Sequence, residues 1–188
     1  MLGFSELIVK LSYRRLGVFM LDYQKQDCDL TLAEGLECYY SSFPSSKLAL
    51  KDNHESGTLL RDHDSTHVIF GLDISIEQEA ILDTWVIWGS KFKWKYMFEY
   101  QKLPQVTKIQ KDLFKEFGCT GFIKLFWKVG AIKRKVIFRT FKMKKKWLFK
   151  MPDDYMFLRI SELRKIHGIK ILLPEELNYI PTKWSGSL

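Results

Sequence analysis

Two histidines and a glutamate stand at a spacing suited to binding a metal ion. His63 and His67 are four positions apart in a chain of 188 residues that has only four histidines. On a helix, residues i and i+4 lie on the same face, so both imidazoles would point to one side. Glu79 follows twelve positions after His67, and a carboxylate is a common companion ligand to histidine. The spacing therefore indicates a candidate divalent-metal site.

The segment between the second histidine and Glu79 favours a tight turn between two helices. The first of these helices is predicted to begin near Ser56 and to end at Gly71, because glycine suits the left-handed residue that closes a helix. Ser75 followed by Gln78 is typical of a capping box, with Ser75 as the N-cap of the next helix. The glutamate would then lie in the first turn of one helix and the histidines in the last turns of the other.

The role of Asp64, which follows the first histidine, is open on these grounds. In the H-E-x-x-H motif of zinc proteases the residue at this position is a glutamate that acts as the general base. The shorter side chain of Asp64 argues against a protease. Asp64 could instead be a fourth ligand, or it could accept a hydrogen bond that fixes the tautomer of an imidazole.

A soluble metal-dependent hydrolase of the HD phosphohydrolase type is an alternative interpretation, because that class also uses a His-Asp pair. It requires a further histidine upstream and an aspartate downstream. His54 is the upstream candidate, and Asp83 or Asp112 is the downstream candidate.

The remaining pattern predicts an all-α fold, with one compact domain of six to eight helices over residues 1–188. Apolar spacing and capping signals place helices at residues 4–23, from Thr31 towards Tyr40, at 105–117 between Pro104 and Gly118, and from Pro152 to Gly168. Residues 119–150 are predicted to be helical rather than extended, because no pairing strand is evident nearby. Glu77, by contrast with Glu79, is assigned to the surface or to the helix cap.

The composition fits a soluble globular protein with an anionic partner. The apolar fraction is 46%, the charged fraction is 28% and the net charge is +8. No run of about twenty apolar residues predicts a transmembrane helix, and the first residues lack the basic start of a signal peptide, which favours the cytoplasm. Cys28, Cys38 and Cys119 lack C-x-x-C spacing and are interpreted as small buried residues.

A basic aromatic segment occupies the second half of the chain. No Asp or Glu occurs from Phe117 through Pro152, while Lys and Arg alternate with Phe and Trp. One interpretation is a core-packing helix with a solvated basic face. The other is a membrane interface, with aromatic rings at the headgroup level and cations on anionic lipid. Nucleic acid is not expected as a partner, because no nucleic-acid-binding motif accompanies the segment.

The motif His63-Asp64-x-x-His67, followed by eleven residues and Glu79, resembles the signature of the Coq-four family of ubiquinone-biosynthesis proteins. Gly71 matches a glycine of that family. Near the C-terminus, residues 163–169 resemble the closing L-R-x-x-x-G-I of the family. The resemblance covers residues 61–88 and 156–172, whereas residues 89–150 show little likeness.

The resemblance implies a short, diverged bacterial member of an all-α, often dimeric family that lies on the membrane. Its metal site, usually zinc, with iron or magnesium as alternatives, would comprise His63, Asp64, His67 and Glu79, with Asp64 and Glu79 as candidate catalytic residues. The family binds isoprenoid lipid, organises quinone-biosynthesis enzymes and is linked to decarboxylation and hydroxylation at C1 of the quinone-precursor ring. The expected partners are prenyl-quinone lipid, other biosynthetic proteins and a second copy of the chain, on the cytoplasmic face of the inner membrane.

Overall fold

The computed structural model describes residues 20–44 and 54–182, and within those residues it is helical with no β-strand. This confirms the all-α prediction, and the six helices found there lie at the lower end of the expected number. The helices are α1 (Leu32–Ser42), α2 (His54–Phe70), α3 (Ile76–Gly89), α4 (Trp94–Gln101), α5 (Pro104–Phe141) and α6 (Ile160–His167). Short 3-10 turns occupy Asp22–Gln24, Asp153–Phe157 and Pro174–Glu176. The helix predicted over residues 4–23 falls almost wholly outside the described residues.

Helix α1 begins at Thr31, as predicted, and Thr31 and Glu34 form a capping box there. The Thr31 hydroxyl accepts a hydrogen bond from the Glu34 amide at 3.2 Å, and the Glu34 carboxylate accepts one from the Thr31 amide at 2.8 Å. Gly35 lets α1 approach its neighbours closely, because a Cβ there would lie 2.8 Å from Val68 Cγ1 and 2.6 Å from Ile160 Cδ1. Helix α1 therefore packs directly against the end of α2, where the two histidines are.

Helix α5 covers most of the segment that was predicted to be helical rather than extended. Pro104 occupies its first turn, and Gly118 interrupts it with φ 56° and ψ −176°, after which the helix resumes. Its second half buries Leu125, Val129 and Val136 against the core, mainly beside α3. No helix among residues 20–44 and 54–182, α5 included, combines the length and apolar character needed to cross a membrane.

The predicted capping box at the start of α3 is wrong in its details. Ser75 is the N-cap residue, but its side chain makes no capping hydrogen bond. Asp73 organises the turn instead: its carboxylate accepts from the Ser75 amide and from the Gln78 side chain, both at 2.8 Å. Gln78 also accepts from the Asp73 amide at 2.8 Å. Asp73, two residues before Ser75, is therefore the hydrogen-bond acceptor in place of the serine. The helix still begins where it was predicted.

The single helix predicted from Pro152 to Gly168 is also wrong, because the chain forms a 3-10 turn and then α6. Leu158 lies between them, and its carbonyl accepts from the Leu32 amide at 3.0 Å, while the Ile160 amide donates to the Leu30 carbonyl at 2.9 Å. Because of these long-range bonds, the backbone at Leu158 is extended rather than helical. Gly168, at φ 71°, ends α6 as predicted.

The cysteines are free, and the prediction that all are buried is confirmed only for Cys28. Cys38 is partly buried. Cys119 is exposed, because it follows the interruption of α5 on the solvent side.

Glu77 is fully buried, which corrects its assignment to the surface. Its carboxylate accepts from Lys128 Nζ at 2.6 Å and from the Thr182 amide at 2.9 Å. Lys128 lies on α5, so this ion pair joins the first turn of α3 to the long helix. The charged hydrogen bond from Lys128 and the bonds from Thr182 offset the cost of burying the carboxylate.

The guanidinium of Arg164 on α6 is buried at the end of α2, with the residue only 1% exposed. It donates to the carbonyl oxygens of Ile69 at 2.9 Å, Val68 at 3.0 Å and Tyr23 at 2.7 Å. Further bonds reach carbonyls of residues 25–26. Burial lowers the pKa of Arg164 to about 10, so it stays charged at neutral pH. One side chain thus holds together α2, α6 and the chain that precedes α1.

We predict that Arg164→Met destabilises the protein by at least about 3 kcal/mol, because several buried carbonyls lose their donor together. Urea denaturation followed by tryptophan fluorescence measures the change. Arg159→Met is the matched control: its side chain is 55% exposed and pairs with Asp29 at 3.3 Å, so the change there should stay within about 0.5 kcal/mol. Equal losses in the two variants would contradict the role given to Arg164.

Candidate metal centre

The turn between α2 and α3 sets the relative positions of the three candidate ligands. Gly71 ends α2 with φ 71°, and the Leu72 amide returns to the His67 carbonyl at 2.9 Å. A side chain at Gly71 would be strained at this φ, and its Cβ would lie 3.0 Å from Ile171 Cδ1. The predicted left-handed glycine is therefore confirmed. It reverses the chain so that the first turn of α3 faces the last turns of α2.

The structure brings together His63, His67 and Glu79. Each offers one ligand atom, and these atoms all lie within 4.8 Å of one another. The two imidazole centroids are 5.1 Å apart. Ligands of zinc lie about 2.0–2.2 Å from the ion, so a small closing movement would let the three side chains share one ion.

His67 provides a test of whether a metal fits this site. The residue is fully buried, and neither ring nitrogen completes a hydrogen bond with any group in the described part of the chain. Its Nε2 lies 3.2 Å from Glu79 Oε1, but the geometry is not that of a hydrogen bond. A buried polar group without a partner costs about 1–3 kcal/mol. A metal ion beside Nε2 would remove part of that cost, so the residues present fit a metal.

The charges at the site are coupled. Burial alone would lower the pKa of His67, but the Glu79 carboxylate, helped by Asp64 and Asp73, outweighs burial and raises it. Partial burial would raise the pKa of Glu79, whereas the imidazoles of His67 and His63 lower it below its usual value. A metal binds the neutral imidazole, and the raised pKa of His67 means that a proton competes with the ion for the ring. Metal affinity should therefore increase with pH.

Asp64 lies beside the cluster rather than among its three converging ligand atoms. It is 5% exposed, and its Oδ1 is 3.4 Å from His63 Nδ1. Burial and the negative charge of Asp64 together raise the pKa of Tyr40 on α1. This position suits the second role considered for Asp64, which is to accept a hydrogen bond from the Nδ1–H group and leave Nε2 of His63 free for a metal.

Neither aspartate nominated for the HD-type alternative is among the three converging ligands. His54 begins α2, and its side chain is outside the described residues. Asp112 is exposed on the first half of α5. Asp83 lies one turn after Glu79 on α3, where desolvation and the charge of Glu79 raise its pKa to about 6. Asp83 is thus an additional acidic group near the site.

Two tyrosines lie at the site that no pattern in the sequence indicated. The ring of Tyr39 on α1 stacks on His67, with centroids 5.2 Å apart, and the ring of Tyr100 on α4 stacks on His63 at 4.7 Å. Both come from helices that are distant along the chain, and no motif joins them to the histidines. Only the packing of α1 and α4 against α2 identifies them.

Comparison with known protein families, with curated proteins and with solved structures finds no match to the chain. The likeness to the Coq-four family therefore stays a prediction from the motif residues.

We predict that Zn²⁺ stabilises the metal-free protein against urea. At free Zn²⁺ one hundred times its Kd, the free energy of unfolding should rise by about 2.7 kcal/mol. Glu79→Gln should lose most of this increment, because a neutral amide is a poor zinc ligand. Glu175→Gln, exposed in the turn Pro174–Glu176, is the control and should keep it. An undiminished increment in Glu79→Gln would mean that zinc binds elsewhere.

Proposed function

We propose that this chain is a Coq-four-like peripheral membrane protein of prenyl-quinone biosynthesis, with a divalent metal, zinc in the first instance, held by His63, His67 and Glu79. The observation that carries the proposal is the convergence of these three side chains around a buried imidazole whose nitrogens form no hydrogen bond with the part of the chain that the structure describes. Asp64 would fix the tautomer of His63. Iron and magnesium are the alternative ions.

The site residues differ in their exposure to solvent, and we assign them different roles. His67 is fully buried and would fix the position of the ion, whereas the Glu79 side chain is 39% exposed and would be accessible to a substrate. Glu79 could exchange a proton with a substrate hydroxyl, and Asp64 would keep the proton on His63 Nδ1. When bound, the metal would supply positive charge that stabilises the negative charge left on a hydroxylated ring as its C1 carboxyl group departs.

The same site also suits a second version of the proposal, in which the metal is structural. The protein would then be a scaffold that binds prenyl lipid, forms a homodimer and organises the biosynthetic enzymes. A metal that joins α2 to α3 would stabilise such a scaffold, because it cross-links two helices through the turn at Gly71.

We predict that Glu79→Ala separates the two versions. If the site is catalytic, the variant should fold and bind prenyl lipid but lose carbon dioxide release from a prenylated hydroxybenzoate by about a hundredfold or more. Circular dichroism, mass spectrometry of co-purified lipid and the release assay measure these properties. Glu175→Ala is the control. Loss of folding or lipid binding, with no turnover by the unmodified protein, would favour the scaffold. Phosphoester hydrolysis without membrane affinity would overturn both versions and favour the HD-type hydrolase.

Membrane binding is supported by one face of the second half of α5. Trp127, Phe138 and Phe141 are 83%, 67% and 70% exposed. Their spacing of eleven and three residues places them on one side of the helix, and Arg134 lies between them. Trp147 and Phe149, by contrast, are core residues, so only part of the aromatic segment is available. An exposed aromatic stripe among cations suits the surface of an anionic membrane, here the cytoplasmic face of the inner membrane.

We predict that the protein binds vesicles containing anionic phospholipid more tightly than neutral vesicles, and that salt weakens the binding. Replacing Trp127, Phe138 and Phe141 together by serine should weaken vesicle binding at least about tenfold, because the rings no longer enter the headgroup region. Phe157→Ser, at an 81% exposed position outside α5, is the control. Vesicle flotation measures the effect. Binding to an oligonucleotide but not to vesicles would contradict the membrane assignment.

A further inference from the structure

Each imidazole of the cluster stacks on a tyrosine from a different helix. His67 lies against Tyr39 of α1, with an angle of 29° between the ring planes, and His63 lies against Tyr100 of α4, with an angle of 23°. Near-parallel stacking restricts a ring to one plane. The direction of its nitrogens in that plane then depends on the backbone that carries it.

If no ring were stacked on it, the His63 side chain would rotate more freely than that of His67. Its side chain is 17% exposed, whereas that of His67 is fully buried. Its contact with Asp64 is long, at 3.4 Å, so this contact restrains the ring only weakly. Rotation about the Cβ–Cγ bond would turn both nitrogens of His63 away from Glu79. The ring of Tyr100, with its centroid 4.7 Å away, blocks that rotation.

We propose that Tyr100 is a positioning residue of the metal site, whose ring holds the His63 imidazole in the plane that directs a nitrogen towards His67 and Glu79. This inference rests on the proposed metal site and adds a residue of α4, outside the motif. The function lies in the face of the ring, so phenylalanine should replace tyrosine without loss.

Helix α4 is held in position for this contact by another of its aromatic residues. Tyr96, one turn earlier, is buried and stacks on Phe149 with centroids 5.6 Å apart. This contact docks the helix on the core, and Tyr100 then extends from the docked helix to the histidine. The metal site thus depends on the packing of α4 as well as on the α2–α3 turn.

The test is titration of the metal-free protein with Co²⁺, whose visible absorption bands report coordination geometry. Tyr100→Leu should raise the Kd for Co²⁺ about 10- to 100-fold, as removal of groups that orient metal ligands does, and should change the bands. Tyr100→Phe should keep the affinity and the bands of the unmodified protein. Tyr155→Leu is the control for loss of a partly buried tyrosine, because Tyr155 contacts Trp147 and His167 rather than the cluster. It should leave both properties unchanged.

The outcomes separate this inference from the metal site itself. If the unmodified protein binds no Co²⁺, the metal site is wrong and the inference fails with it. If the unmodified protein binds and Tyr100→Leu has the same affinity and bands, only the role of Tyr100 is overturned. Loss of binding in Tyr100→Phe would overturn it as well, because the hydroxyl would then be the important group. Should Tyr100→Leu fail to fold, Tyr100→Met carries the same expectation.

Discussion

The buried guanidinium of Arg164 fixes the geometry on which the rest of the structure depends. It donates to the carbonyls of Val68 and Ile69 in the last turn of α2 and to the carbonyl of Tyr23. The C-terminus of a helix carries partial negative charge, so a cation there is favoured. Because these bonds define where α2 ends, they also define where the chain turns at Gly71 and where α3 begins. The position of Glu79 relative to the histidines follows from that turn.

Packing holds the residues of the candidate site in place, but the buried imidazole at its centre lacks hydrogen bonds from the described residues. Helices α1 and α4 supply aromatic faces for the imidazoles, and the ion pair between Glu77 and Lys128 holds the first turn of α3 against α5. Yet His67, the most buried member, has no hydrogen bond for either ring nitrogen within the described residues. Among the buried polar atoms that lack a hydrogen bond in the described residues, those of His67 are the ones that lie beside two other metal-ligand side chains, which is the arrangement expected of a site shaped for a ligand.

The sequence predicted the features that local chemistry decides. The helix start at Thr31, the left-handed glycine at 71, the helix end at Gly168 and the shared face of His63 and His67 all follow from nearby residues. Features that depend on distant residues were missed. Leu158 leaves the helix because it pairs with the chain near Leu32, and the tyrosine rings reach the histidines only through tertiary packing. The position of Asp64 beside His63, rather than among the converging ligand atoms, likewise required the orientation of its side chain.

The central claim is that His63, His67 and Glu79 bind one divalent ion. Elemental analysis of protein purified without an affinity metal tests this claim most directly, with the double variant His63→Asn, Glu79→Gln as comparison. The account predicts about one zinc or iron ion per chain in the unmodified protein and almost none in the variant, because one imidazole alone is a weak ligand set. Equal metal content in the two proteins, or none in the unmodified protein after incubation with zinc and with iron, would contradict it.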